Sequence, residues 1–176
     1  MMRLKLSQAL FALALGAAGT AGALAQDETP LYVRDEMQQR VDPAITAIWA
    51  VTNVALDDDG NLDPALIDDS GWIAIAQQAA ALETVMHDMA EAPVLAAASP
   101  GNTTTEEWEV SMDRVQDLID ENPAAFRAYA STFAEHAARL RAAADARDGA
   151  LTGELVAGAD GACEGCHLTF WASSEG

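Results

Sequence analysis

Residues 72–89 read WIAIAQQAAALETVMHDM, and this stretch decides the fold class. Its apolar positions are Trp72, Ile75, Ala76, Ala79, Leu82, Val85, Met86 and Met89. They recur at intervals of three and four, the stripe of one helix face. Asp69 and Ser70 precede it as candidate caps, and Pro93 lies just past its end. The same period continues on both sides. Asn122-Pro123 opens a second long helix, a cap followed by proline at the first helical position. Phe126, Tyr129, Ala130, Phe133, Ala137, Leu140 and Ala144 mark its buried face, and Asp148-Gly149 offers its stop. A last helix is predicted from about Ala150 to Trp171, with Leu151, Leu155, Ala159, Cys163, Cys166 and Phe170 on one side. Toward the N-terminus, Met37, Val41, Ala44, Ile45, Ile48, Trp49, Thr52 and Leu56 keep helical spacing. Pro43 interrupts them, so a kink or break is expected at Asp42-Pro43. A minor helix is predicted from Thr105 to Asp120. No stretch alternates with period two. The reading is all-α, an antiparallel four-helix bundle.

The chain has 176 residues, 51% of them hydrophobic, with a formal net charge of −19. That length fits one domain, and the apolar content excludes a disordered polyelectrolyte. The acidity argues against nucleic-acid binding, which needs Lys and Arg to neutralise phosphate. Residues 1–25 carry Arg3 and Lys5, an apolar run from Ala9 to Leu15, and Ala23-Leu24-Ala25. This is the pattern of a secretory signal peptide with a small-x-small cleavage site, the alternative being an uncleaved anchor. Residues 26–176 are then the functional domain, expected to be exported, without stable membrane insertion. Seven Arg against 28 acids would leave that domain at −21. Such charge steers a protein toward basic partners in a salt-dependent way, and it also suits a salty environment.

Two loops are expected. In the acidic one, Asp57, Asp59, Asn61, Asp63 and Asp68 sit at calcium-loop offsets, but Leu62 stands where the turn needs Gly and the last ligand is Asp. A solvated loop is the better reading. Residues 93–105 read as a plain connector.

The chemistry concentrates at Cys163-Glu164-Gly165-Cys166-His167. This is C-x-x-C-H, the attachment pattern of c-type haem. On a helix at about 100° per residue the three side chains project into one arc of roughly 100°. Two thiols can then reach the vinyl groups at one porphyrin edge, and the imidazole can bind iron. Three alternatives compete. A thioredoxin-like pair belongs in a βαβ setting, which the pattern lacks. A zinc site needs further ligands, and His87 and His136 lack motif spacing. A simple disulfide fits an oxidising compartment. Gly153, Gly158, Gly161 and Gly165 each cost roughly 1 kcal/mol in a helix interior. Close approach of a flat ligand would offset that, with Gly165 leaving space for the macrocycle.

The C-terminal position of this motif, the string 163–171 (CEGCHLTFW), and Glu36-Met37 followed by Val41-Asp42-Pro43 and Trp49 resemble the cytochrome c′ family, the class II c-type cytochromes. The resemblance implies a periplasmic four-helix bundle with a C-terminal haem-binding helix and one covalent haem c. Cys163 and Cys166 would carry the thioethers, and His167 would be the proximal iron ligand. Met37 occupies the region from which some members place a methionine on the iron and shuttle electrons between redox partner proteins. Others leave the sixth position open and bind NO or CO. Met86 and Met89 are weaker candidates, better read as core. Arg34 is placed to face a haem propionate. Where many members carry a basic residue after the motif, this chain has Phe170-Trp171. The implied function is electron transfer to partners with a basic docking surface, not enzymatic catalysis. The resemblance also makes a homodimer an available assembly.

Overall fold

The computed structural model describes residues 29–107 and 109–171. The export-signal reading falls on residues 1–25, outside the described residues. The described chain is mostly helical, in keeping with the all-α prediction. The elements are β1 (Leu31–Tyr32), α1 (Val33–Glu36), a π-helical turn (Met37–Val41), α2 (Asp42–Thr52), a 3-10 turn (Pro64–Leu66), α3 (Asp69–Glu91), β2 (Leu95–Ala96), α4 (Met112–Glu121), α5 (Pro123–Asp145) and α6 (Gly149–Phe170). Among the described residues no helix is long and apolar enough to cross a membrane.

Helix α3 buries all eight positions of its predicted stripe. Its cap is Asp68 rather than Asp69 or Ser70: the Asp68 carboxylate accepts from the Gly71 N–H at 2.8 Å. Asn122 caps α5 as predicted, accepting from the Ala125 N–H at 3.3 Å. Helix α4 begins at Met112, seven residues later than expected at Thr105, because Ser111 supplies the cap. Helix α5 ends at Asp145, and the reversal uses Arg147 at φ 55°. Gly149 is therefore not the stop. It is the first residue of α6, where a Cβ would stand 2.9 Å from the Pro64 ring.

Pro43 neither breaks nor ends its helix. Proline has no N–H to give the preceding turn, and the chain responds by widening. The Asp42 N–H reaches back five residues to the Met37 carbonyl, and helical geometry continues from Val33 to Thr52.

Residues 93–105 are more than a connector. Leu95 and Ala96 pair in parallel with Leu31 and Tyr32, and Arg34 N–H donates to the Ala97 carbonyl at 2.9 Å. The Ser99 N–H and hydroxyl both donate to the Asp35 carboxylate, at 3.0 and 2.8 Å. The segment is thus strapped across the start of α1. The Ser99 backbone bond leads in holding the Asp35 carboxyl below its ordinary range. A depressed carboxyl pKa stabilises above the unfolded value, about pH 4, and the contribution is lost as pH falls through the folded value. Asp35→Ala should cost about 1 kcal/mol at pH 7, with the gap to wild type narrowing as pH falls below the ordinary carboxyl range. Chemical denaturation across that pH range measures it.

Packing is uneven. Helix α3 lies against α5 and α2, and α5 against α6, whereas α2 and α6 touch at few points. Two cavities open between those two helices.

Candidate functional site

Cys163, Cys166 and His167 lie in the last turns of α6, inside one continuous helix. The spacing therefore places the three as the sequence predicts. With Ala162 they line a cavity of about 260 Å³. Its remaining wall comes from Met37, Val41, Asp42, Ile45 and Trp49 on the N-terminal helix, Met86 on α3, and Tyr129 and Phe133 on α5. Four of the five long elements thus converge on it. The wall is apolar apart from Asp42, the Tyr129 hydroxyl and the motif itself.

A second cavity, of about 200 Å³, adjoins the first and shares Met37, Cys166 and His167. Arg34, Gln38, Glu109 and Trp171 complete it. Arg34 Nη2 is 3.7 Å from Glu109 Oε2, but its Nη1 is buried with no hydrogen-bond partner among the described residues. A buried cationic donor without an acceptor is costly. A haem propionate at this cavity would answer that cost, so the residues present fit the group that the motif implies.

The surroundings of the two thiols are not those that activate a dithiol redox pair. Burial pushes the Cys166 thiol up to about 11 and raises that of Cys163, with Asp160 adding to the latter. Reactive redox thiols are shifted the other way, by cations or helix N-termini.

The glycines of α6 meet different surroundings, and a Cβ at Gly161 would meet nothing within 4 Å. Gly149 approaches Pro64, Gly153 meets Leu62, Gly158 faces His136, and a Cβ at Gly165 would stand 3.4 Å from Tyr129. The tight approaches are those of Gly149 and Gly153 to the acidic loop, whereas a Cβ at Gly158 or Gly165 would make ordinary contact with α5. Tyr129 itself is 36% exposed, not buried with the rest of its stripe. Its ring lines the cavity and its hydroxyl bonds to Thr169 at 3.2 Å.

The other histidines stand apart. His136 Nε2 lies 2.7 Å from the Leu155 carbonyl and its ring stacks on Phe133. His87 is exposed on the far side of α3, near Glu83 and Arg141. Met89 is fully buried core, whereas Met86 reaches the cavity wall. Phe170 is buried edge-on against Phe126 at 5.4 Å, and only Trp171 reaches the second cavity. The acidic loop uses its carboxylates internally: Asp57 accepts from Asp59 and Asn61, and Asp63 from Ala65.

Cavity residues such as Val41, Ile45 and Phe133 are legible in the sequence only as helix stripe. Glu109 and Gln38 carry no signal, since their neighbours there are distant in the chain. A larger cleft of about 780 Å³ runs further along α2 and α6 and shares Trp49, but it holds neither cysteine nor histidine.

The model of the family described as Cytochrome C′ matches residues 72–171. The match covers more than half of the chain and includes the C-x-x-C-H motif, while Arg34 and Met37 precede it. Comparison with curated proteins and with solved structures finds no match. With a helical fold, a C-terminal C-x-x-C-H on a cavity wall and that family match, the chain belongs to the cytochrome c′ family, c-type haem proteins of electron transfer or gas binding.

Proposed function

We propose that this protein is an exported, periplasmic carrier of single electrons, holding one covalent haem c in the cavity between α2 and α6. The observation that carries the reading is that Met37, Cys163, Cys166 and His167, from opposite ends of the chain, line the same cavity. Cys163 and Cys166 would hold the thioethers, and His167 and Met37 would be the residues that bind the iron. When bound, the haem supplies a one-electron couple, and methionine–histidine ligation raises its potential. The protein's own side chains do the rest. Val41, Ile45, Trp49, Met86 and Phe133 keep water from the cavity, and Arg34, steadied by Glu109, offers its unpaired Nη1 to a propionate.

The surrounding architecture is an antiparallel four-helix bundle of residues 33–52, α3, α5 and α6. The three-residue join between α5 and α6 and the packing of α3 on both α2 and α5 support it. Export rests on the residues 1–25 pattern, and the surplus of acids suits redox partners with basic surfaces.

A second reading, a five-coordinate cytochrome that binds NO or CO, is favoured by the apolar wall around Met37, which would equally shelter an open sixth position. Intact mass and optical spectra of the purified protein test both. The expected result is a mass increase of one haem and a low-spin reduced spectrum unchanged by CO. Protein without covalent haem would overturn the proposal, and immediate CO uptake by a high-spin ferrous form would select the second reading.

A further inference from the structure

Residues 33–52 are one helical run but not one helix in phase. The Asp42 N–H donates to the Met37 carbonyl, where an α-helix would use that of Gln38. The π turn of Met37–Val41 therefore holds about one residue more than an α turn. Its cause stands beside it. Pro43 has no N–H for the Gln39 carbonyl, and in a straight helix its ring clashes with that carbonyl. The chain upstream is pinned from outside. Leu31 and Tyr32 pair with Leu95 and Ala96, the Arg34 N–H donates to Ala97, and the Asp35 and Gln38 side chains accept from Ser99 and Asn102. The extra residue is taken up between that anchor and Pro43.

That residue changes what each upstream side chain faces. At about 100° per residue, a straight helix would set Met37 within about 20° of Ile48, a fully buried core side chain, and about 80–120° from Ile45 and Trp49. It would also set Arg34 within about 20° of Val41 and Ile45, both buried, and so drive a guanidinium toward the core. With one residue added, Met37 falls within about 20° of Ile45 and Trp49. Those two line the cavity with Cys163, Cys166 and His167. Val33 takes the line of Val41 and Ile45 in place of Arg34 and is fully buried, while Arg34 reaches the second cavity. The observed lining of both cavities is what the widened phase gives and the straight one does not.

We propose that Pro43, which lines neither cavity, is the positioning residue that aims Met37 at the haem iron. The inference rests on the haem reading above. Pro43 acts through backbone register alone: its missing donor forces the π turn, and the π turn moves Met37 from the line of Ile48 to that of Ile45 and Trp49. Alanine would make the better helix at this position, and an α turn has the better hydrogen bonds. What the proline supplies instead is the direction of one thioether. Pro43 thereby selects a closed sixth position over an open one that would admit a diatomic gas.

The test uses the haem-loaded protein in three forms: wild type, Pro43→Ala, and Pro43→Ala with Gln39 deleted. The deletion removes the extra residue, so that a straight helix returns Met37 to within about 20° of Ile45 and Trp49. Crystal structures read the register. The Asp42 N–H is expected on the Met37 carbonyl in the wild type and the deletion variant, and on the Gln38 carbonyl in Pro43→Ala. Ferrous spectra with and without CO, and a redox titration, read the consequence. Pro43→Ala should turn from low-spin to mostly high-spin, take up CO, and move in potential toward Met37→Leu; the deletion should restore the low-spin spectrum. A merely structural proline would move the melting temperature and leave the spectra alone. Pro43→Ala that keeps the π turn or the low-spin spectrum would overturn the proposal. So would a folded deletion variant that stays high-spin, and Pro43→Ala alone decides where the deletion does not fold. A wild type that is itself high-spin ends the Met37 reading, and the crystal structures then still decide whether Pro43 sets the direction of Met37. The haem reading fails separately, by absence of the haem mass and spectrum in the same samples.

Discussion

Replacing Cys163 and Cys166 together by alanine is expected to give protein from which all haem is extracted by acidified organic solvent, whereas the wild type retains its haem. Both thiols sit on the cavity wall, and no other cysteine exists in the chain to take their place. The consequence reaches stability. Helices α2 and α6 touch at few points, and a ring held between them supplies apolar contact that Ala162 and its neighbours cannot. Losing a tethered ring should cost on the order of 3–5 kcal/mol, by analogy with deleting the largest core side chains. Truncating two half-buried thiols should by itself cost far less, so thermal unfolding separates the effects. A double variant that melts like wild type and keeps its haem through extraction would refute covalent attachment.

The second large effect is expected from Met37→Leu. Leucine and methionine are close in volume, so the packing penalty should stay below about 1.5 kcal/mol. Loss of the thioether should nevertheless change the iron from six-coordinate low-spin to five-coordinate high-spin. The potential should fall on the order of 0.1 V, a modest part of the roughly 0.8 V range that axial ligands control. Spectra with and without CO, together with a redox titration, measure this. A wild type already high-spin and unaffected by Met37→Leu would assign Met37 to packing and support the gas-binding reading. Arg34→Gln gives no such spectral change on the proposed arrangement, because Arg34 meets the ring at its periphery.

Some elements were legible and others were not, for reasons that depend on range. The α3 stripe and the Asn122-Pro123 start are local patterns, and both are found where the sequence places them. Where the sequence predicts a kink or break, the helix runs on without a break through the π turn at Met37–Val41. Proline's missing donor is visible in the sequence, but whether the chain snaps or widens depends on what the following turn packs against. The strap over 93–105 leaves no local signal, because its partners, Asp35 and Gln38, lie 64 residues away.

Helical class, acidity and the three motif residues Cys163, Cys166 and His167 are legible along the chain alone. Periodicity, composition and i to i+4 geometry act within a turn or two of chain, and a helix cannot be formed without honouring them. Long-range packing sets that Met37 shares a cavity with His167, that Arg34 ends beside it with an unpaired nitrogen, and that Gly149 and Gly153 fit against Pro64 and Leu62. Those facts depend on which helix faces meet and which gaps stay open. Such meetings follow from packing residues far apart in sequence, to which no local pattern gives access.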